Sequence, residues 1–136
     1  MSTSTKFSKN AKTALKLMIG LLSIVIIFHF CVLLEIISYE KVWAGKIDSL
    51  TEMRIFEIIS ITINVFLITT LFFKRENIKN NVANKVVNTI IWVFVFLFAL
   101  NTIGNLFAKS RIEQILGTTV TFISTVLCWI IVRKGK

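Results

Sequence analysis

His29, Glu35 and Glu57 are side chains that could carry a proton or bind a cation, and all lie inside or beside long uncharged stretches. His29 falls within an apolar stretch, Glu35 directly follows it, and Glu57 directly precedes the next one. On a helix, residues six apart point about 120° away from each other, so His29 and Glu35 are not expected to be direct partners. A carboxylate inside a membrane indicates a functional site by default, which makes Glu57 the first candidate.

Glu57 also has a purely structural interpretation. Arg54 precedes it by one helical turn, and an ion pair at this spacing contributes only tenths of a kcal/mol. Asn64 favours a functional interpretation, because it extends the polar face of Glu57 toward the middle of the membrane, where an ion pair requires no amide. Both interpretations stay open.

Amide side chains mark a second polar region, in the third apolar stretch. Asn101 and Asn105 are one turn apart. An amide that faces hydrocarbon loses hydrogen bonds, so both side chains are expected to face other helices or water. Together with the first region they predict a polar cavity that opens outward, or else a polar plug that only aligns the helices. The expected binding residues are Glu57, Asn64, Glu35, His29 and Asn101.

Long apolar helices are needed to position these side chains. Four stretches lack charged residues, and with their flanks the expected spans are about 14–37, 53–73, 86–107 and 113–132. A bilayer core requires about 20 mostly apolar residues in a helix, and the chain has no proline. We therefore predict an all-α integral membrane protein, a single domain over residues 1–136, with four transmembrane helices in an antiparallel up-down bundle joined by short loops.

The composition excludes a soluble protein of this size. The 136 residues are 55% hydrophobic and 17% charged, with a mean hydropathy of +0.79. A small domain keeps much of its surface exposed, so it could not hide this many apolar side chains from water. The net charge of +9 does not indicate nucleic acid, because Lys and Arg lie between uncharged stretches rather than in a basic stripe.

The basic residues predict the orientation in the membrane. The two ends and the loop after the second span together carry eleven Lys and Arg, whereas the other two loops carry five. Because Lys and Arg accumulate on the cytoplasmic side, both termini of this multi-pass protein are expected in the cytoplasm, beneath the cell membrane. The expected partners are anionic lipid headgroups at the cytoplasmic face, together with a second copy or another membrane protein, and not nucleic acid.

Small side chains predict where the helices pack. Gly117, Thr121, Thr125 and Cys128 follow one another at spacings of four, four and three in the last span, and Gly104 lies between the two amides of the third. In lipid, helices associate through close backbone approach and weak hydrogen bonds, both of which small residues permit. The expected packing positions are Gly117, Thr121, Thr125 and Gly104.

No catalytic motif accompanies these features. The sequence has no phosphate-binding loop, zinc motif or nucleophile elbow, and no cofactor or metal is expected. The first hypothesis is a non-enzymatic membrane protein that acts through helix contacts, as an accessory or regulatory subunit or an immunity-type protein. The alternative is a homo-oligomeric small transporter or channel with Glu57 as its proton- or cation-binding carboxylate. A holin-like pore formed by lateral assembly is a third hypothesis.

Overall fold

The computed structural model describes residues 9–43 and 47–133 of the chain. The elements in these ranges are helical, and a single π-helical turn directly precedes the last helix. Lys6, Lys46, Lys134 and Lys136, which contribute to the charge comparison above, lie outside the described residues. In chain order the elements are α1 Lys9–Leu33, α2 Tyr39–Val42, α3 Leu50–Lys79, α4 Lys85–Leu106, the π-helical turn Glu113–Gly117 and α5 Thr118–Arg133.

Four helices, with the π-helical turn and α5 counted as one, are long and apolar enough to cross a membrane. Their large apolar side chains point outward to an extent that water would not permit, as Ile24 and Phe96 show, each 66% exposed. The expectation of an all-α protein with four helices able to span a membrane is confirmed for the described part of the chain, and these features indicate a multi-pass membrane protein.

Polar caps fix where α3 and α4 begin. The Oγ of Ser49 accepts a hydrogen bond from the Glu52 backbone N–H at 3.2 Å, and Glu52 Oε2 accepts one from the Asp48 N–H at 3.1 Å. At the start of α4, Asn84 Oδ1 accepts from the Val86 N–H at 3.0 Å. These bonds satisfy backbone donors that have no partner inside the helix, so each helix has a defined first residue.

Helix α3 is longer than the expected span of 53–73, because it runs on through Lys74 and Arg75 to Lys79. Placing both cations in the span was expected to be costly. The helix separates the two side chains: Lys74 is buried with a hydrogen-bond partner, whereas Arg75 is exposed. Only one of the two cations therefore has to be accommodated inside the bundle.

The four long helices form a closed ring of contacts, in which α1 and α4 each touch both α3 and α5. The main core lies inside this ring and takes fully buried side chains from every long helix. Since lipid provides no hydrophobic drive between helices, this core holds the bundle through dispersion contacts. One buried residue from each helix is Met18, Leu71, Ile91 and Ile131.

A second, smaller core holds the segment between α1 and α3 against the two helices. It consists of Val32 at the end of α1, Val42 in α2, Ile47 in the following loop and Met53 in the first turns of α3. These buried side chains position the loop residues that reach the polar group described next.

Candidate functional site

A buried carboxylate is the centre of the candidate site. Glu57 in α3 is 0% exposed, and both of its carboxylate oxygens have partners. His29 Nδ1 lies 2.6 Å from Glu57 Oε2, and Trp43 Nε1 donates to Glu57 Oε1 at 2.6 Å. One side chain thus joins α1, α3 and the segment between them.

Local structure explains why these groups meet. Glu57 follows the buried Met53 by one helical turn, so both side chains turn toward the bundle interior. Trp43 directly follows the short helix α2, which Ser38 caps, and its ring packs beside Phe56 with the ring centroids 5.8 Å apart. The indole N–H is thereby directed at the carboxylate.

The geometry allows two roles for the Glu57 carboxyl group. A separation of 2.6 Å from an imidazole nitrogen is a hydrogen-bond distance whichever group donates, and the indole N–H can act only as a donor. The carboxyl group can therefore hydrogen-bond His29 as a proton-transfer partner, and it also ties three segments together. In the described part of the chain, no cluster of three His, Cys, Asp or Glu side chains could hold a metal ion.

Arg54 pairs with Glu35 and not with Glu57. Its Nη2 lies 3.3 Å from Glu35 Oε2, and the two side chains are 54% and 51% exposed. This corrects the interpretation of Glu57 as the ion-pair partner of Arg54, because Glu57 turns into the bundle while Arg54 turns to the surface. An ion pair this exposed contributes about 0.5 kcal/mol or less.

Asn64 and Asn101 lie apart from Glu57. The Nδ2 of Asn64 donates to the backbone carbonyl of Ser60 at 2.7 Å, one turn earlier in its own helix. Asn101 is exposed on α4. Of the five expected binding residues, the structure brings His29 and Glu57 into contact and keeps Glu35, Asn64 and Asn101 outside that contact.

Gly117, the last residue of the π-helical turn, and Thr121 in α5 lie against α4. A Cβ atom on Gly117 would be 2.9 Å from Cγ of Asn105, which is closer than real Cβ contacts come. Thr102 Oγ1 donates to Thr121 Oγ1 at 2.9 Å across the same interface. Thr125 is half-buried one turn further along α5 and donates to the Thr121 carbonyl at 2.8 Å.

Gly104 does not pack against another helix of this chain. It is exposed, and a Cβ atom there would meet nothing within 4 Å. Within this chain, α4 turns the next residue, Asn105, toward Gly117. Gly104 shares an exposed face of α4 with Asn101 instead.

Lys74 and Trp43 are polar-contact residues that sequence reasoning missed. Lys74 is 2% exposed, and its Nζ lies 2.6 Å from Asn88 Oδ1 in α4. Leu67, Leu71 and Lys74 follow one another at spacings of four and three, which places them on one helical face. The periodicity of this buried face therefore indicated that Lys74 is buried. A lone Trp in a connecting segment gives no comparable signal.

Comparisons of the chain with protein-family models, with curated proteins and with solved structures found no match.

Proposed function

We propose that this chain is a non-catalytic protein of the cell membrane that acts through helix contacts, as an accessory or regulatory subunit or an immunity-type protein. Its four spans form an antiparallel up-down bundle with both termini in the cytoplasm. The buried polar side chains support this function, because they link helices of the chain to one another instead of lining a path across it. Glu57 contacts His29 and Trp43, and Lys74 contacts Asn88.

The exposed face of α4 carries the proposal. We call this surface the α4 outer face; it consists of exposed residues at helical spacing. In a bilayer, the amide of Asn101 on this face would lack hydrogen-bond partners among acyl chains, and Gly104 one turn later leaves room for another backbone. Both features favour a second helix over lipid. The face is formed by Val93, Leu97, Leu100, Asn101 and Gly104.

Photo-crosslinking in native membranes tests this contact. A photoreactive residue replaces Leu100, and the cross-linked product is compared with and without Gly104→Leu. We expect Gly104→Leu to reduce the product by about tenfold, the effect of losing about 1.4 kcal/mol of helix packing. A product with twice the mass of the chain identifies a second copy, and a product of another mass identifies a partner subunit.

Gly20→Leu is the matched control. Gly20 is an exposed helical glycine in α1, and a Cβ atom there also meets nothing within 4 Å. We expect it to leave the product unchanged. The proposal fails if no product forms, or if the two glycine variants reduce it equally.

A homo-oligomeric transporter or channel is the second candidate function, favoured by the 2.6 Å hydrogen bond between His29 and the buried carboxyl group of Glu57. For transport, His29 or Trp43 would first have to move away from the enclosed carboxylate. Proton uptake by proteoliposomes that is abolished by Glu57→Gln would select this function. The same variant should leave the crosslink at Leu100 intact if the contact function is correct.

A further inference from the structure

A half-open groove whose charged lining residues are all basic lies between the first half of α1 and the last turns of α3. Its volume is about 630 Å³. Four basic residues line it, Lys12 and Lys16 from α1 and Arg75 and Lys79 from α3, and none of its described lining residues is acidic. We call it the basic groove.

The arrangement of these cations is unfavourable without a counter-ion. On each helix the two basic residues are four positions apart, a spacing at which like charges repel. The groove then brings the two pairs together. Within residues 9–43 and 47–133 none of the four has an ion-pair partner. The acidic Glu76 lines the neighbouring groove, which shares Phe72 with this one. A bound anion would remove the repulsion.

The groove also has an apolar part, which lies deeper along both helices. Ile19 follows Lys16 by three residues in α1, and Phe72 precedes Arg75 by three residues in α3. Both apolar side chains are thus about 4.5 Å further from this end of the bundle than the nearest cation. Charge followed by apolar surface is the order of a phospholipid, in which the phosphate lies above the acyl chains.

We propose that the basic groove binds an anionic phospholipid, with its phosphate among the four cations and an acyl chain against Ile19 and Phe72. Four positive charges exceed what one phosphodiester neutralises, so the preferred headgroup carries two phosphodiesters. This lipid differs from bulk anionic lipid, which any exposed basic residue attracts. The inference is independent of the α4 outer face.

Native mass spectrometry of the full chain tests the site, after incubation with phosphatidylcholine vesicles that contain a minor fraction of cardiolipin. We expect Lys16→Gln with Arg75→Gln to lower cardiolipin retention about thirtyfold, the effect of removing two basic contacts. The control, Lys85→Gln with Arg133→Gln, removes the same charge types at exposed positions outside the groove. We expect it to change retention about twofold or less. Equal losses in both variants would overturn the proposal.

Phe72→Ala separates a lipid from free phosphate. Phe72 is 46% exposed, so its truncation should leave the bundle folded, which a thermal melt checks. A bound phospholipid loses acyl contact and is retained about fivefold less, the effect of removing roughly 1 kcal/mol of dispersion contacts. Displacement of cardiolipin by millimolar inorganic phosphate, with no effect of Phe72→Ala, would overturn the lipid assignment.

Discussion

Glu57 lies in an apolar helix without an unsatisfied oxygen because side chains from two other segments reach it. A carboxyl group buried without partners is costly, and the hydrogen bonds to the imidazole of His29 and the indole of Trp43 offset this cost. The consequence is an asymmetry between substitutions. Removing a partner leaves a buried polar atom unsatisfied, whereas an amide in place of the carboxylate offers its oxygen to the Trp43 N–H and its own N–H to a His29 Nδ1 that accepts.

We therefore expect His29→Leu to lower the free energy of unfolding by about 3 kcal/mol, and Glu57→Gln to lower it by about 1 kcal/mol. Reversible SDS unfolding in detergent micelles, followed by circular dichroism, measures both values. The control is Asn64→Ala, which removes only a hydrogen bond within α3 and should cost about 0.5 kcal/mol. Equal losses for His29→Leu and Asn64→Ala would contradict the proposed role of the buried pair.

At the scale of elements, the π-helical turn before α5 packs against α4 at Gly117 without room for a methyl group. The three atoms nearest to a Cβ on Gly117 all belong to the Asn105 side chain, which would have to shift. Gly117→Ala should therefore lower the free energy of unfolding by about 1 kcal/mol. In an Asn105→Ala background the same change should be neutral or stabilising, because alanine favours a helix over glycine.

A double-mutant cycle in the same unfolding assay measures this coupling. Gly104→Ala is its control, since the added methyl group meets nothing within 4 Å and should be neutral or slightly stabilising. If Gly117→Ala lowers the free energy of unfolding equally with and without the Asn105 side chain, the described contact between Gly117 and Asn105 is contradicted.

The lengths of apolar stretches predicted the four long helices, because a continuous uncharged stretch has few alternatives to a helix in lipid. The directions of polar side chains were harder to predict. Asn101 and Asn105 are alike in sequence, yet one is exposed and the other lies against Gly117. Which of them faces a neighbour depends on the rotation of α4 about its axis, and side chains on α5 contribute to that rotation.

Two residues of the candidate site could be predicted from the sequence, but their contact could not. The sequence identified His29 and Glu57 as isolated polar residues in apolar surroundings, which marks them without pairing them. Their contact depends on the relative height of two helices that a loop connects. The indole of Trp43 completes the site from that loop, where no periodicity constrains the position of a side chain.

For the whole molecule, the distribution of basic residues makes the orientation testable. In a chain with Cys31 and Cys128 replaced by Ser, single cysteines are introduced at Asp48, Lys109 and Arg133. A membrane-impermeant maleimide should label positions 48 and 109 in intact cells, and position 133 only after lysis, because Lys and Arg accumulate on the cytoplasmic side. Labelling of position 133 in intact cells would contradict the proposed orientation.

The π-helical turn at Glu113–Gly117 determines the rotation of α5 about its own axis. Such a turn holds one residue more than an α-helical turn, and each α-helical residue advances the chain by about 100°. Deleting a single residue from this turn would swing Thr121 away from Thr102 by roughly a quarter of a revolution, whereas a deletion beyond Arg133 would leave that alignment unchanged. The extra residue in this turn thus determines which face of α5 points toward α4.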